Sequence, residues 1–425
     1  MKKILSFILI MSFCLTLISC TPNSRNLTEE ISQGKTDNVT PSINNDILPT
    51  IEKGAETPEE AAIGFSAELL KKAYSKDKNT LVSPLSVAIA LSMTAGGSNG
   101  DTYSQFQDTL GMGVTLPEMN KFYKALSENI DDVNYADVSV ANSIWIRDNK
   151  DMISVKDSFL DFADEYFDAD VFLSPFNKAT LRDINSWVKD ETDGMIKNII
   201  DDIDADTVMY LINALSFDAE WKSKYDDTND YFKFKNKNGE YEETTGMISN
   251  EKLYLEDENT TGFIKPYKGD EFSFAVFLPD ESIDIDSYVS SLNSDKITNL
   301  INNASNETVE TVLPKFTYEY ELSLKEPLQK MGLTSAFDSS EADFSEMGTS
   351  SMGNLYVSDV LHKTFIEVAE EGTKAAAVTA VIMKAESAME FIEVKKVIVN
   401  RPFVFAIIDN TTNVPLFMGS VLSVK

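Results

Sequence analysis

The single histidine and the two cysteines have the widest chemical repertoire in this chain, and their positions restrict what it could do. Cys14 and Cys20 lie within the first twenty residues, whereas His362 lies near the other end. A zinc ribbon, a disulfide scaffold and a Cys/His protease are therefore excluded. A Ser-His-Asp site would have to use His362, and a metal site would need carboxylates, which are numerous but not clustered. We expect no metal ion and no cofactor.

His362 lies in an alternating apolar and polar segment, which is typical of a strand. A lone histidine in such a segment is more often a buried, hydrogen-bonded residue than a catalyst. A glycine-rich run at residues 96–100 lacks the lysine of a phosphate-binding loop, and we interpret it as a helix end with turn residues.

The charge of the chain argues against nucleic-acid partners. It has 425 residues and a net charge of −32, from 69 Asp and Glu against 37 Lys and Arg. A polyanion is repelled by nucleic acid. The 43% of hydrophobic residues is ordinary for a globular protein and excludes a collagen-like, coiled-coil or wholly disordered chain.

The N-terminus has the pattern of a targeting segment. Lys2 and Lys3 precede an uncharged apolar run at residues 4–18, which is too short to cross a hydrocarbon core of ~30 Å. The run ends in Leu-Ile-Ser-Cys, which resembles a bacterial lipobox. The resemblance implies a lipoprotein signal peptide over residues 1–19 and lipid on the sulfur of Cys20. The alternative is ordinary secretion, in which Cys20 has no role.

The next segment is polar and shows no sustained apolar period. Residues 20–57 are predicted to be a disordered tether that carries the lipidated Cys20 and holds the folded part off the membrane. The folded part is predicted as one domain over residues 58–425. The expected location is the extracellular face of a bacterial cell membrane, and secretion is the alternative.

The folded part has helical patterns first and strand patterns later. Apolar residues recur at helical spacing, or follow a helix start signal, over residues 59–73, 84–95 and 181–199. β-rich runs follow at residues 138–146, 208–217, 272–278, 309–313, 397–399 and 403–408. The order predicts an α+β fold with a large mixed sheet.

The segment at residues 370–383 is rich in small residues and becomes β-branched toward its end. With period two, the first face is uncharged: Thr373, Ala375, Ala377, Thr379, Val381 and Met383. The other face has a lysine at each end: Lys374, Ala376, Val378, Ala380, Ile382 and Lys384. Small residues on both faces would let this segment lie between existing strands. The segment could therefore be either an exposed loop or a central strand.

An ordered set of motifs resembles the serpin family over nearly all of residues 58–425. The set comprises Asn-Thr-Leu-Val-Ser-Pro-Leu-Ser at residues 79–86, Ala-Asn-Ser-Ile-Trp at 141–145, Asn-Ser-Trp-Val at 185–188, Thr-Asp-Gly-Met-Ile at 192–196, Asn-Ala-Leu-Ser-Phe-Asp-Ala-Glu-Trp at 213–221, Leu-Pro-Lys-Phe at 313–316, Met-Gly-Leu at 331–333, Arg-Pro-Phe-Val-Phe at 401–405 and Pro-Leu-Phe-Met-Gly at 415–419. Each motif is weak alone, and their order makes the set specific.

The resemblance implies a fold of three β-sheets with eight or nine helices and an exposed reactive-centre loop. It implies a suicide inhibitor of serine endopeptidases, with cysteine endopeptidases as a further class. The protease forms an acyl-enzyme on the loop, and the cleaved loop then inserts into the large sheet and distorts the protease. The chain itself would be no enzyme and would act as a monomer.

The resemblance also assigns roles to single residues. Ser83, Ser86, Asn213 and His362 resemble the polar cluster that holds the large sheet shut, and Trp221 resembles the tryptophan where insertion begins. The hinge would comprise Glu370, Glu371, Gly372, Thr373, Ala375, Ala376 and Ala377.

The reactive bond is placed by counting. About fourteen positions after Gly372 lies Glu386, followed by Ser387, whereas counting back from Pro402 ends near Phe391. We prefer the first count because the inserted strand has a fixed length. The loop also offers alternative cleavage sites at Lys384, Ala385, Ala388 and Met389.

A competing hypothesis is a non-inhibitory surface lipoprotein of the same fold, used for binding or adhesion. Non-inhibitory members often carry charged or bulky residues on the inserted face. This hinge does not, so an inhibitor is favoured.

Overall fold

A computed structural model describes residues 24–32, 54–131, 133–148, 153–205, 207–351, 353–373 and 394–425. Its helices are α1 (Leu27–Ser32), α2 (Pro58–Ala73), α3 (Pro84–Gly96), α4 (Gly100–Gly111), α5 (Leu116–Asp131), α6 (Asp157–Phe167), α7 (Lys178–Glu191), α8 (Ile285–Ser291), α9 (Ser294–Asn302), α10 (Lys325–Lys330) and a 3-10 turn at Ser335–Phe337. Within the described ranges there are ten α-helices, of which two have only six residues, so the eight longer ones agree with the eight or nine expected.

Eighteen strands complete the fold described here. They are β1 (Arg25–Asn26), β2 (Thr80–Val82), β3 (Ala136–Arg147), β4 (Ile153–Val155), β5 (Asp170–Ser174), β6 (Met209–Glu220), β7 (Asp227–Lys235), β8 (Tyr241–Asp257), β9 (Thr260–Pro266), β10 (Phe272–Pro279), β11 (Ser305–Pro314), β12 (Phe316–Ser323), β13 (Gly348–Ser350), β14 (Asp359–Val368), β15 (Gly372–Thr373), β16 (Lys395–Ile398), β17 (Phe403–Asp409) and β18 (Pro415–Val421).

The strands form three sheets, so the predicted α+β class with three sheets is confirmed. The large sheet has the order β1-β5-β3-β6-β15-β14-β12. A second sheet runs β16-β11-β8-β9-β10-β17-β18-β2, with β7 beside β8, and a third pairs β13 with β4. We call the end of the large sheet at Ala136 and Glu220 the upper end, and the end at Arg147 and Met209 the lower end.

Two predicted helices begin as their start signals indicate. Thr57 caps α2, because its side chain accepts a hydrogen bond from the amide of Glu60 and Pro58 follows it. Ser83 and Pro84 start α3 in the same way. Nearly all of α3 is buried, and it packs against β3, β6 and β18. Ser83 is thereby fixed inside the molecule, next to the large sheet.

The helix predicted at residues 181–199 is shorter than expected at its C-terminal side. α7 ends at Glu191, where Asp193 and Gly194 adopt left-handed backbone conformations with φ of 47° and 76°. Two consecutive residues of this kind reverse the chain and end the helix. The apolar residues beyond this point, including Ile196 and Ile199, pack as an irregular segment in a small core beside α7.

The tether assigned to residues 20–57 contains ordered structure that the sequence analysis did not anticipate. Arg25 and Asn26 add an edge strand to the large sheet, opposite Leu173 and Phe172 of β5. α1 follows at once and packs against α6. The absence of an apolar period misled the prediction, since a two-residue strand and a six-residue helix are too short to show one. Residues 20–23 and 33–53 of the predicted tether lie outside the described residues.

No helix in the described part of the chain is both long and apolar enough to cross a membrane. Across the same ranges, no group of three or more His, Cys, Asp or Glu side chains is arranged to hold a metal ion.

Candidate opening site of the large sheet

The start of the predicted hinge is already part of the large sheet. Gly372 and Thr373 form β15, which lies antiparallel to β6 at Glu220 and Ala219. Thr373 also pairs with Val368 of β14. A Cβ atom on Gly372 would lie 2.1 Å from the carbonyl oxygen of Ala219, so this position requires glycine. Of the two conformations that the sequence left open for this segment, these two residues adopt the strand, and their backbone pairs with β6 and β14.

Thr373 occupies an aromatic pocket beneath the upper end of the sheet. It is 2% exposed, and its hydroxyl shares a hydrogen bond with the hydroxyl of Tyr267. Tyr267 stacks on Trp221, with ring centroids 4.5 Å apart. Burial raises the pKa of Tyr267 well above its ordinary value, so this phenol is protonated. The pocket accepts a small, uncharged side chain at position 373.

The turn that leads into β15 is held by backbone contacts to the end of β6. The indole Nε1 of Trp221 donates to the carbonyl of Ala369 at 2.8 Å. The amides of Trp221 and Tyr225 donate to the carbonyls of Glu371 and Glu370, at 2.9 and 3.0 Å. Trp221 thus contacts the turn from both its side chain and its backbone.

Two ion pairs hold the carboxylates of the turn. Lys315 lies 2.8 Å from Glu370, and Lys224 contacts both Glu371 and Glu220. Burial raises the pKa of Glu370, but the hydrogen bond and charge of Lys315 outweigh it, and the net pKa lies below its usual range. These side chains are partly exposed, so each pair contributes about 0.2–1 kcal/mol. The ion pairs position the turn, and they are weak enough to break.

A buried ion pair between Lys265 and Glu251 lies beside Trp221. Lys265 is 1% exposed and lies 2.6 Å from Glu251, which also accepts a hydrogen bond from Ser249. The ammonium lies 4.1 Å from the ring centre of Tyr225 and 5.6 Å from that of Trp221. Burial lowers the pKa of Lys265, and the attraction of Glu251 opposes this. Removing either partner would leave an uncompensated charge, which is costly in a protein interior.

The lower half of the same gap is closed by direct strand pairing. β14 and β6 run parallel at residues 359–362 and 210–213, where His362 lies opposite Asn213. Asn213 also pairs with Asn142 of β3. The side chain of Asn213 lies outside the described part of the structure. A further strand between β14 and β6 would have to separate this parallel seam.

His362 and two serines tie the seam to the helix behind it. The amide of Ser83 donates to Nε2 of His362 at 3.0 Å, and the hydroxyl of Ser83 donates to the carbonyl of Leu416 at 2.8 Å. Ser86 Oγ donates to Ser83 Oγ at 2.8 Å. All three side chains are buried. Because Nε2 accepts a hydrogen bond, the ring is neutral, and burial lowers the pKa of His362 to about 3.

This neutral histidine predicts an acid sensitivity. Its pKa is about 3 in the folded chain against 6.5 when unperturbed, so its contribution to stability is complete above about pH 6.5 and is lost as the pH falls toward 3. The free energy of unfolding should fall by about 1.4 kcal/mol per pH unit in that range. Urea unfolding between pH 6.5 and 5 measures the slope.

The matched variant for this prediction is His362→Asn, which keeps a polar side chain but does not titrate. The chain has one histidine, and ordinary carboxylates titrate mainly below pH 5. The variant should therefore show a much flatter slope between pH 6.5 and 5, whatever its stability at pH 7. Equal slopes in the two proteins would show that His362 does not cause the acid sensitivity.

The structure separates the predicted site residues into two groups. Ser83, Ser86 and His362 meet at the lower seam, whereas Trp221 and the turn at Glu370 and Glu371 lie at the upper end. Further predicted residues lie outside the described part: Cys20, Ala375, Ala376, Ala377, Lys384, Ala385, Glu386, Ser387, Ala388 and Met389.

Sequence reasoning missed the residues that hold the hinge from the second sheet. Tyr267 follows β9, and Lys315 lies between β11 and β12. Lys315 belongs to the Leu-Pro-Lys-Phe motif of residues 313–316, and this motif could have drawn attention to it. Nothing in the local pattern around Tyr267 indicates its contact with Thr373, which is 106 residues away.

Comparison with known proteins agrees with this geometry. The model of the family "Serpin (serine protease inhibitor)" matches residues 60–424. Neuroserpin of Homo sapiens is 31% identical over 395 residues, covering 88% of this chain and 94% of that protein. The crystal structure of the thermophilic serpin tengpin in its native state is 40% identical and covers 94% of this chain and all of that one, with a TM-score of 0.84. Its latent state gives 39% identity, coverage of 88% and 100%, and a TM-score of 0.76.

Proposed function

This chain belongs to the serpin family of serine protease inhibitors, and we propose that it traps serine endopeptidases by inserting its cleaved reactive-centre loop into the large sheet. The observation that carries this proposal is the pairing of Gly372 and Thr373 between β14 and β6. The first two residues of the proposed insertion are in register, with Thr373 in a pocket that fits it. Insertion would extend a strand that has already begun.

The pairing of Gly372 and Thr373 sets how many loop residues the gap between β6 and β14 could hold. Each residue added after Thr373 moves one position back along both β6 and β14. Continued in this way, residue 382 would lie opposite Tyr210 and Asp359 together, and these two residues already face each other in the parallel seam. This gap would therefore take residues 372–382. In an inserted strand the proposed bond between Glu386 and Ser387 would lie just beyond the lower end, in agreement with counting from the hinge.

The same register assigns a face to each loop residue. Since Thr373 points into the core, Ala375, Ala377, Thr379, Val381 and Met383 would follow it inward in an inserted strand. This face carries no charge. Lys374 would point outward, so its charge does not oppose insertion.

The position of the reactive bond predicts the class of target. Glu386 would direct the inhibitor to a protease with a basic specificity pocket, because a carboxylate is paired on binding there. Mass spectrometry of the C-terminal fragment released from the denatured complex should find residues 387–425. A fragment that starts at Ala385, Met389 or Glu390 would refute the preference for glutamyl endopeptidases and leave the inhibitor assignment intact.

We further propose that Cys20 carries a lipid anchor, since it ends the apolar run of the signal peptide. Two acyl chains anchor a protein stably where one does not. Cys20→Ala should release the protein from the membrane fraction into the medium, as immunoblotting of the two fractions would show. Ser19→Ala, which leaves the sulfur in place, is the matched control. Unchanged membrane association of Cys20→Ala would contradict the anchor.

A further inference from the structure

The ordered N-terminal segment at residues 24–32, which we call the docked segment, is tied to one corner of the large sheet. Ser24 is buried and its hydroxyl lies 2.9 Å from that of Ser174 and 2.8 Å from a carboxylate oxygen of Asp183. The side-chain amide of Asn26 donates to Asp170 at 2.5 Å. Leu27 is 8% exposed and belongs to the main hydrophobic core. The segment therefore has strand pairing, buried polar contacts and an apolar anchor.

The direction of the docked segment along the sheet is fixed by its pairing. β1 runs antiparallel to β5, and Ser174 of β5 pairs with Arg147, which is at the lower end. Ser24 lies beside Ser174, so the chain enters the fold at the lower end and runs upward. The upper end, where Gly372 enters beside Glu220, is about 33 Å away, because ten residues of β3 separate Ala136 from Ile146 at ~3.3 Å each.

The docked segment leaves very little chain between the body of the protein and Cys20. Four Cα-to-Cα steps separate Cys20 from Ser24, and they span at most about 14 Å when fully extended. Without the docked segment, the next described residue would be Gly54, which is 34 steps from Cys20. A flexible chain of that length has an end-to-end distance of roughly 30–35 Å and a much longer maximum reach.

We infer that the docked segment holds the lipidated Cys20 at the lower end of the large sheet, so that this end faces the membrane and the reactive-centre loop faces away from it. The inference rests on the proposed lipid anchor and adds an orientation to it. The partner is a lipid bilayer surface. A flexible tether would let the molecule present any face, whereas the docked segment fixes which end is membrane-proximal. The opening site of the sheet then remains accessible to proteases in solution.

The experiment compares the heights of two labels above a bilayer. Lys178→Cys marks the lower end, and Asn134→Cys, two residues before β3, marks the upper end; both native side chains are exposed. The lipidated protein, purified from membranes, is labelled at the new cysteine and reconstituted in vesicles of phosphatidylethanolamine and phosphatidylglycerol with an acceptor dye on the headgroups. We expect strong energy transfer from position 178 and several-fold weaker transfer from position 134.

Release of the docked segment provides the matched comparison. Leu27→Asp places a charge in the core and should detach the segment, and Asn26→Ala is a milder variant that removes its hydrogen bond to Asp170. Each should bind vesicles as before, fold with an unchanged circular dichroism spectrum, and lose most of the difference between the two labels. Equal transfer from both labels in the parent protein, or a difference that survives release of the segment, would overturn the inference. Failure to bind vesicles would instead refute the lipid anchor, and the orientation with it.

Discussion

Replacement of Thr373 by arginine should convert the protein from an inhibitor into a substrate. Thr373 is buried against Tyr267, and an inserted strand keeps it there. In the intact variant the arginine would leave this pocket, so insertion would have to bury its unpaired charge there, at a cost of several kcal/mol. Each 1.4 kcal/mol that is added to the barrier of insertion slows insertion about tenfold. The protease should then hydrolyse the acyl-enzyme before it is trapped. Titration of a fixed amount of protease with each variant measures the stoichiometry of inhibition.

Two matched variants separate the pocket from general damage to the loop. Thr373→Ser keeps the hydroxyl that pairs with Tyr267 and should inhibit like the parent. Lys374→Glu changes a charge at the neighbouring position, which would face outward in an inserted strand, and should change the stoichiometry little. If Thr373→Arg still inhibits with the stoichiometry of the parent, insertion at this site is not the mechanism.

Cleavage of the loop should raise the melting temperature by tens of degrees. In the described part of the intact chain, β15 comprises Gly372 and Thr373, and β14 and β6 pair directly at residues 359–362 and 210–213. Insertion of residues 374–382 would add on the order of ten net backbone hydrogen bonds, each contributing about 1 kcal/mol, and would bury further apolar surface. Calorimetry of the intact protein and of protein nicked in the loop by a non-target protease measures the shift.

The nicked sample also decides between the two functional hypotheses. A non-inhibitory member would melt at the same temperature before and after cleavage, because its loop would remain outside the sheet. Thr373→Arg offers a control, since its cleaved form should gain much less stability than the cleaved parent. A large gain in the parent and a small gain in this variant would attribute the stabilisation to the inserted strand.

The part of the fold that could be predicted from the sequence is the part encoded in local patterns. Ser83 and Pro84 start α3 as expected, and the β-rich run at residues 272–278 corresponds closely to β10. The small residues from Gly372 onward indicated a segment able to enter a sheet, and Gly372 and Thr373 pair with strands of the large sheet. These signals are local because capping and alternation act within a few residues.

The remaining features depend on partners that are distant in the chain. Asn26 contacts Asp170, 144 residues away, and Lys315 contacts Glu370, 55 residues away. The burial of Thr373 before cleavage depends on Tyr267 and on space between β6 and β14. No periodicity in the polar N-terminal segment indicates that it docks, because its buried contacts come from a few residues, which include Ser24, Asn26 and Leu27. Such pairings follow from the assembled sheet.

Formation of a covalent complex tests the central claim most directly. The protein is mixed with a glutamyl endopeptidase, a trypsin-like protease, an elastase-like protease and a subtilisin-like protease, then boiled in SDS and separated by electrophoresis. The account predicts a band with the combined mass of the protease and the chain without its C-terminal fragment, and its absence with Thr373→Arg. Cleavage of the loop by every protease without any such band would contradict it.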